Sequence, residues 1–236
     1  MKDCAVIFAP HPDDEILGCG GTMAKKVREG CDISVVFMTD GRYSLMEIGV
    51  HSNPSPVELK EIRKLEAKRA AKVLGIEEEK LFFFDIEDGS LQKNEKFVRE
   101  KITEILSGFP KEVYIPQEKE FHVDHRVTNW LVKSAIKELN FRPIVFNYAI
   151  AWLYPLNLLA RVRPRFLQGT IMSRLLKKDM VCVDVADFLP LKKAALEEYK
   201  SQLQPIRDTQ KRAALKNSFV KRFLQNEERF FVEREI

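Results

Sequence analysis

Three of the four histidines in this 236-residue chain lie in two short segments that also carry acidic residues. The first segment is His11-Pro12-Asp13-Asp14-Glu15 and the second is His122-Val123-Asp124-His125. Imidazole and carboxylate groups are typical ligands of Zn²⁺, which in catalytic sites keeps about three protein ligands and leaves a position for water or substrate. A carboxylate that is not a ligand can then accept a proton from the attacking water. The two segments therefore contain the parts of a hydrolytic metal site, in His11, Asp13, Asp14, His122 and His125.

A simpler interpretation of both segments is a pair of polar turns between a strand and a helix. Asp13 or Asp14 would then cap the following helix, and local hydrogen bonds would satisfy the histidines. Either segment alone is compatible with both interpretations. Two such segments, each after a strand pattern and before a helix pattern, favour the metal site, because ligands bind at the carboxyl ends of strands in open α/β sheets.

Hydrophobic patterning predicts the strands and helices that must hold these segments. Residues 5–9 and 33–38 are short apolar runs typical of buried parallel strands, and helices are expected at 20–29 and 57–74. The alternation continues with strands expected at 81–84, 113–115, 144–146, 180–183 and 230–232, and helices at 97–106, 127–139 and 191–203. The charged residues of the last helix are expected to face solvent. Repeated β-α alternation predicts an α/β fold with a mostly parallel sheet between two layers of helices.

Length and composition predict a single domain over residues 1–236. Hydrophobic residues make up 45% and charged residues 31% of the chain, which excludes a largely disordered protein. A net charge of +4 gives no reason to expect nucleic acid as a partner. No apolar run approaches the ~20 residues of a membrane span, and no signal-peptide pattern is present, so a cytoplasmic protein is expected. The four cysteines form no CxxC pair and are expected to be small, buried or half-buried hydrophobic residues.

A basic stretch at about 152–178 interrupts the β-α rhythm and contains no acidic residue. It is expected to be an insertion in the domain. Three of its four arginines, Arg161, Arg163 and Arg165, are candidates for contact with an anion, such as the phosphate of a sugar conjugate or a membrane surface. The alternatives are a subunit interface, and with it a homo-oligomer, or a pair of solvated helices.

Several motifs in the chain resemble the LmbE-like or PIG-L family of zinc-dependent de-N-acetylases, the N-acetylglucosaminyl deacetylase superfamily. The two histidine segments carry the resemblance most specifically, and shorter matches at 18–22, 39–41, 63–67, 74–76, 88–89 and 193–202 extend it over most of the chain. The resemblance implies a Rossmann-like three-layer sandwich, the LmbE-like fold. It also implies removal of an acetyl group from an N-acetylglucosamine-type sugar or conjugate, by attack of a metal-bound water on the amide carbonyl.

The resemblance further implies roles for individual residues in this reaction. The metal ligands, for zinc or another divalent ion, would be His11, Asp14 and His125. Asp13 would be the general base. His122 would stabilise or protonate the tetrahedral intermediate, with Asp124 orienting its ring.

Substrate contacts are also implied by the resemblance. Arg63 and Asp88 match family positions that hold sugar hydroxyls, although Arg63 taken alone would be interpreted as a solvated helix charge. Glu120 departs from the family pattern, since relatives commonly have Asp, or sometimes Tyr, two residues before the first histidine of this motif.

The glycines at 18, 20 and 21 resemble part of a dinucleotide-binding loop. Met23 stands where that motif needs its last glycine, and the neighbouring acidic residues would repel a pyrophosphate. These glycines are instead expected to form a tight turn close to metal and substrate.

Two other functions remain as alternatives. A metal-dependent hydrolase of another bond, such as a phosphoester, usually needs more carboxylates that bridge two ions. A catalytically weak sugar-binding protein with a structural zinc would have no use for a base such as Asp13, because structural zinc sites usually close with four ligands. A zinc-dependent de-N-acetylase is therefore the expected enzyme.

Overall fold

The computed structural model describes residues 4–150, 179–208 and 210–234. Within them, seven strands form one sheet in the order β3-β2-β1-β4-β5-β7-β6. The strands are β1 Cys4–Ala9, β2 Asp32–Thr39, β3 Leu81–Ile86, β4 Glu112–Pro116, β5 Ile144–Tyr148, β6 Asp179–Asp184 and β7 Glu227–Glu233. The first five pair in parallel, while β7 runs antiparallel to both of its neighbours. The predicted α/β fold with a mostly parallel sheet is confirmed.

Helices cover both faces of the sheet. They are α1 Asp14–Arg28, α2 Pro56–Val73, α3 Glu95–Leu106, α4 Val123–Glu138, α5 Leu189–Glu197, α6 Lys200–Leu203 and α7 Asn217–Val220. The predicted starts of α1 and α4 are wrong, since both helices begin earlier in the chain and include the polar residues before their apolar stripes. Acidic residues in a first turn favour a helix start through the helix dipole, a signal that hydrophobic periodicity does not contain.

Alternate residues of the central strands supply two separate hydrophobic cores. In β1, Ile7 faces the core shared with α1, α2 and α5, whereas Phe8 faces the core shared with α3 and α4. Both side chains are almost fully buried, at 1% and 0% exposure. Burial of an apolar side chain of this size contributes about 1.5–3 kcal/mol to stability. The two cores fix the sheet between its helical layers and so fix the strand ends that bear the polar segments.

The glycines at 18, 20 and 21 lie within α1, so the predicted tight turn is wrong. A Cβ atom on Gly18 would lie 2.5 Å from the Tyr148 ring, and one on Gly21 would lie 2.7 Å from Cβ of Val185. Neither position has space for a side chain. These glycines therefore let β5 and the segment after β6 pack directly against the backbone of α1.

Cysteine burial differs from one position to the next. Cys19 is buried, Cys31 is half-buried and Cys182 is exposed, and all three are free thiols. The prediction of buried or half-buried residues therefore holds for Cys19 and Cys31 and is wrong for Cys182.

The predicted basic insertion at about 152–178, with Arg161, Arg163 and Arg165, lies outside the described residues. Its anion-binding and interface roles therefore stay predictions, as does the single-domain organisation of the whole chain. Among the residues that are described, no helix combines the length and apolar character needed to cross a membrane.

Candidate active site

Polar segments after four parallel strands meet at the carboxyl edge of the sheet. The segment that starts at His11 follows β1, Asp40 follows β2, Asp88 follows β3, and the segment that ends at His125 follows β4. His122 is the N-cap of α4, and Asp124 and His125 occupy its first turn. Asp14 opens α1 and contacts His125, so the starts of two helices converge on one cluster of ionisable groups.

Asp14 connects the two histidine segments. Its Oδ2 atom lies 3.2 Å from Nδ1 of His11 and 3.2 Å from Nε2 of His125. The side chains of Asp14 and His125 are each 5% exposed. One buried carboxylate oxygen therefore contacts two imidazole nitrogens, and the assignment of these three residues as metal ligands stays a prediction.

The other ring nitrogen of His11 faces a second pair of carboxylates. Its Nε2 lies 3.2 Å from Oδ1 of Asp88 and 3.4 Å from Oδ2 of Asp124. Candidate ligand atoms of His11, Asp88, His122 and Asp124 all lie within 4.8 Å of one another, as do those of His11, His122 and His125. The cluster thus offers two overlapping sets of histidine and aspartate donors, and His11 and His122 are common to both.

The electrostatics of the cluster favour a cation. Burial alone would raise the pKa of Asp14, but His125 and His11 beside it outweigh burial and hold its pKa well below its usual range. Burial tends to lower the pKa of His11, yet Asp88 and its other acidic neighbours raise it well above its usual value. Carboxylates that keep a buried imidazole protonated create a strongly negative potential. The donor types and this potential both fit a divalent metal ion.

The second ring nitrogen of His125, Nδ1, does not contact Asp14. This atom is buried without a hydrogen-bond partner among the described residues, and the nearest carboxylate oxygen, Oε2 of Glu120, is 4.0 Å away. Glu120 itself is 2% exposed and accepts a hydrogen bond of 2.6 Å from the backbone N–H of Ile150. The unusual glutamate therefore lies behind His125, on the side away from Asp14.

Asp13 occupies a strained position immediately before α1. Its φ of 125° lies in a region that side chains other than glycine rarely adopt. Its carboxylate makes no capping hydrogen bond to α1 and instead accepts one of 3.0 Å from Arg63, so the simple cap interpretation does not describe it. Burial raises the pKa of Asp13 to about 7, although the Arg63 guanidinium acts to lower it. A carboxyl group that titrates near neutral pH is suited to proton transfer.

His122 is the more exposed histidine of the second segment, with 38% of its side chain accessible. Its Nδ1 accepts a hydrogen bond of 3.2 Å from the backbone N–H of Asp124. Burial, with the positive charge of neighbouring imidazoles, lowers the pKa of His122. The nearest Asp124 carboxylate oxygen is 3.9 Å from that Nδ1, beyond hydrogen-bond distance, and accepts a bond of 2.7 Å from Gly89. The predicted orienting role of Asp124 therefore stays a prediction.

The two predicted substrate contacts lie in different surroundings. Asp88 has 11% of its side chain exposed and borders the histidine cluster. Arg63 is 2% exposed, and its guanidinium donates to the backbone oxygens of Gly41 and Pro12 as well as to Asp13. The sugar-binding role of both residues remains a prediction.

One buried contact under the site was not foreseen. The Tyr199 hydroxyl donates a hydrogen bond to Glu15, which also accepts one of 2.9 Å from the backbone N–H of Asp13. Burial raises the pKa of Glu15 to about 8. The sequence contains both residues in motifs that support the family resemblance, but no periodicity or spacing indicates that they touch.

Comparison with known proteins identifies the family. The PIG-L family, described as GlcNAc-PI de-N-acetylase, matches residues 6–136, more than half of the chain. The chain belongs to this family, and the predicted resemblance is confirmed. The matched residues contain both histidine segments, Arg63 and Asp88. Membership confirms the prediction of an amide-hydrolysing enzyme at the level of the family.

Two curated relatives have printed names that describe sugar deacetylases. Diacetylchitobiose deacetylase from Thermococcus kodakarensis is 29% identical over 197 residues, which cover 82% of this chain and 67% of that protein. Probable N-acetyl-alpha-D-glucosaminyl L-malate deacetylase 2 from Bacillus cereus is 27% identical over 156 residues, covering 64% of this chain and 69% of that protein.

Solved structures support the fold independently. N,N'-diacetylchitobiose deacetylase from Pyrococcus horikoshii aligns with a TM-score of 0.69 at 21% identity, over 98% of this chain and 84% of that chain. A 4-carboxy-2-hydroxymuconate hydratase from Pseudomonas putida aligns with a TM-score of 0.65 at 16% identity, over 99% and 95% of the two chains. The same fold therefore occurs in a protein named for different chemistry, so activity has to be argued from the site.

Proposed function

We propose that this protein is a metal-dependent deacetylase, which hydrolyses the acetamide of an N-acetylglucosamine-type sugar or sugar conjugate to a free amine and acetate. One observation carries the proposal: Asp14 contacts both His11 and His125 directly beside the buried carboxyl group of Asp13. Family membership and the named relatives support the same reaction.

Zinc is the proposed metal, held by His11, Asp14 and His125 in agreement with the donor types it prefers. When bound there, a divalent cation would polarise the acetamide carbonyl and lower the pKa of water at the site. Asp88 and Asp124 support His11 from its other ring nitrogen, an arrangement in which an outer carboxylate fixes the orientation of a ligand imidazole.

Asp13 is proposed as the general base. Its carboxylate takes a proton from water as the water oxygen forms a bond to the acetamide carbon. The same proton passes to the sugar nitrogen when the C–N bond breaks, so the products are acetate and the amine. A pKa raised by burial to about 7 lets one group accept and then return that proton near neutral pH.

His122 is proposed to donate a hydrogen bond to the carbonyl oxygen as negative charge develops on it. Because its Nδ1 accepts the backbone N–H of Asp124, a neutral His122 ring carries its proton on Nε2. The lowered pKa of His122 favours that neutral ring. Removal of one such donor from a hydrolytic site typically costs about 10²–10³-fold in rate.

The proposals for substrate contacts, oligomerisation and location are less specific than those for the reaction. Asp88, partly exposed beside His11, is proposed to accept a hydrogen bond from a sugar hydroxyl. Arg161, Arg163 and Arg165 are proposed to contact the phosphate of a phosphate-bearing substrate, with a subunit interface as the alternative role of that stretch. A cytoplasmic location remains part of the proposal.

The experiment that tests the proposed function is a measurement of amine release. Purified protein with one equivalent of zinc is incubated with N-acetylglucosamine, diacetylchitobiose and N-acetylglucosamine conjugates with and without phosphate. We expect amine and acetate in equal amounts from at least one of them, and none after chelation. Phosphate release from phosphoester substrates without amine release would support a phosphoesterase. Sugar binding without any product would support the binding protein.

A further inference from the structure

Arg63 joins two loops of the candidate site. It projects from α2, and its guanidinium donates a hydrogen bond of 2.8 Å to the carbonyl oxygen of Gly41 after β2. The same guanidinium donates to the carbonyl oxygen of Pro12 and, at 3.0 Å, to the carboxylate of Asp13 after β1. With 2% of its surface exposed, Arg63 is part of the protein interior. A substrate hydroxyl could reach it only if the residues that cover it moved.

The bonds to Pro12 and Asp13 lie on both sides of a strained torsion. Rotation about the N–Cα bond of Asp13 moves the Asp13 carboxylate relative to the Pro12 carbonyl, and Arg63 holds both. A non-glycine residue in a sparsely populated backbone region costs about 1–3 kcal/mol and persists only where surrounding contacts enforce it. Arg63 supplies such contacts at the φ of 125° that aims the Asp13 carboxylate.

Gly41 leaves space for the guanidinium. A Cβ atom at that position would lie 2.2 Å from Nη1 of Arg63, and its backbone has a φ of +61° that glycine adopts easily. The same buried face of α2 is fixed one turn further along, since Glu66 accepts hydrogen bonds from the backbone N–H and the hydroxyl of Ser201. The Arg63 side chain therefore extends from a fixed helix into the space that is open because Gly41 has no side chain.

We propose that Arg63 is a positioning residue for Asp13, which fixes the direction of the carboxylate that acts as the base. The proposal rests on the proposed function for the role of Asp13 as a base. The family resemblance instead implies that Arg63 holds a sugar hydroxyl. A positioning residue should mainly affect kcat when it is replaced, whereas a substrate contact should mainly affect KM.

The test compares Arg63→Ala, Arg63→Lys and a control on the same helix. Arg69→Ala is the control, because Arg69 also lies on α2 and pairs with Glu198, but half of its side chain is exposed. If Arg63 positions the base, Arg63→Ala should lower kcat by about 10²-fold, the scale of a misplaced catalytic group, with KM changed less than about threefold. Arg63→Lys should lose most of the same activity, since one ammonium group cannot reproduce the planar fork. Added guanidinium ion should restore part of the kcat of Arg63→Ala, and Arg69→Ala should resemble the wild type.

A structural measurement separates this proposal from the proposed function. In a crystal structure of zinc-loaded Arg63→Ala, the Asp13 carboxylate should be displaced or its φ changed, while zinc content and the Asp14–His125 contact stay as in the wild type. If the wild type releases no amine from any substrate, the proposed function fails, and this structure still decides the role of Arg63. A large rise in KM with unchanged kcat, or an Asp13 turn unaltered in Arg63→Ala, would overturn the proposal. Arg63→Lys answers the same questions if Arg63→Ala does not fold.

Discussion

Helix α1 carries buried carboxylate contacts at two places, and they differ in how completely the negative charge is paired. Near its middle, Glu228 of β7 accepts hydrogen bonds from the backbone N–H groups of Gly21 and Thr22, at 2.8 and 2.7 Å. The ammonium of Lys192 lies 2.7 Å from the same carboxylate and also donates to the carbonyl oxygen of Leu17. The charge of the buried Glu228 carboxylate is therefore neutralised by the Lys192 ammonium, and both groups also have hydrogen-bond partners in the backbone of α1.

At the start of α1, the negative charge of the carboxylates is less completely paired. Asp13 and Asp14 lie beside Asp88 and Asp124 around His11, and the guanidinium of Arg63 contacts Asp13 alone of these carboxylates. The pKa of Asp13 is raised by burial and that of Asp14 is lowered, mainly because His125 outweighs burial. Removal of one partner from a fully paired buried group destabilises the fold, whereas incompletely neutralised neighbours are suited to bind a cation and move a proton.

The largest effect is expected from removing a predicted metal ligand at the start of α1. His125→Ala should bind zinc at least ~10²-fold more weakly and lose amine release, because it deletes a donor that faces Asp14. Metal content after dialysis, measured by elemental analysis, checks the binding. His51→Ala is the control, since His51 is exposed and lies outside the clusters of candidate ligands. Full zinc occupancy in His125→Ala would contradict the ligand assignment.

Asp13→Asn should separate catalysis from metal binding within the same segment. The change is nearly isosteric and leaves an oxygen that can accept from Arg63, so fold and zinc content should be retained. Without the proton acceptor, kcat should fall by about 10²–10⁴-fold. Steady-state amine release and elemental analysis on one preparation test both statements. Turnover close to that of the wild type would show that another group is the base.

Breaking the matched pair in the middle of α1 should affect stability instead. Lys192→Met leaves Glu228 buried without its ammonium partner and should lower the free energy of unfolding by about 3–5 kcal/mol. Lys193→Met is the adjacent control, because Lys193 is 63% exposed and lies 3.9 Å from Glu197, a contact expected to contribute less than ~1 kcal/mol. Urea denaturation followed by circular dichroism measures both. Equal stability of the two variants would remove the distinction between the two parts of α1.

The same comparison indicates what can be predicted from sequence. The site at the strand ends was predictable because Asp14 and His125 each follow an apolar strand pattern, and parallel strands bring their carboxyl ends to one edge. The helix pattern predicts that Lys192 faces solvent with its neighbours, which is wrong, since Lys192 is fully buried and its ammonium contacts Glu228. Nothing in the local pattern distinguishes it from Lys193. Partners that are distant in sequence, like Arg63 with Asp13, become apparent only when the helices are packed.

The smallest effect is a change in how stability depends on pH, and it concerns Glu66 on the buried side of α2. Burial raises the pKa of Glu66 even though Ser201 hydrogen bonds act to lower it. A raised pKa means that the folded state binds the proton more tightly than the unfolded state does. The contribution of Glu66 to stability is therefore fully present below the usual glutamate range and is lost as the pH rises through the raised pKa.

Glu66→Gln cannot ionise, so its free energy of unfolding should fall less than that of the wild type as the pH rises from the usual glutamate range, about 4.3, towards neutrality. Glu58→Gln provides a control of opposite sign. Hydrogen bonds from the backbone and hydroxyl of Ser55 lower the pKa of Glu58, so that residue stabilises the fold more as the pH rises. Urea unfolding of zinc-free protein at several pH values measures the three slopes. If wild type and Glu66→Gln change in parallel, the pKa of Glu66 is the same in the folded and unfolded states, and its burial does not disfavour the ionised carboxylate.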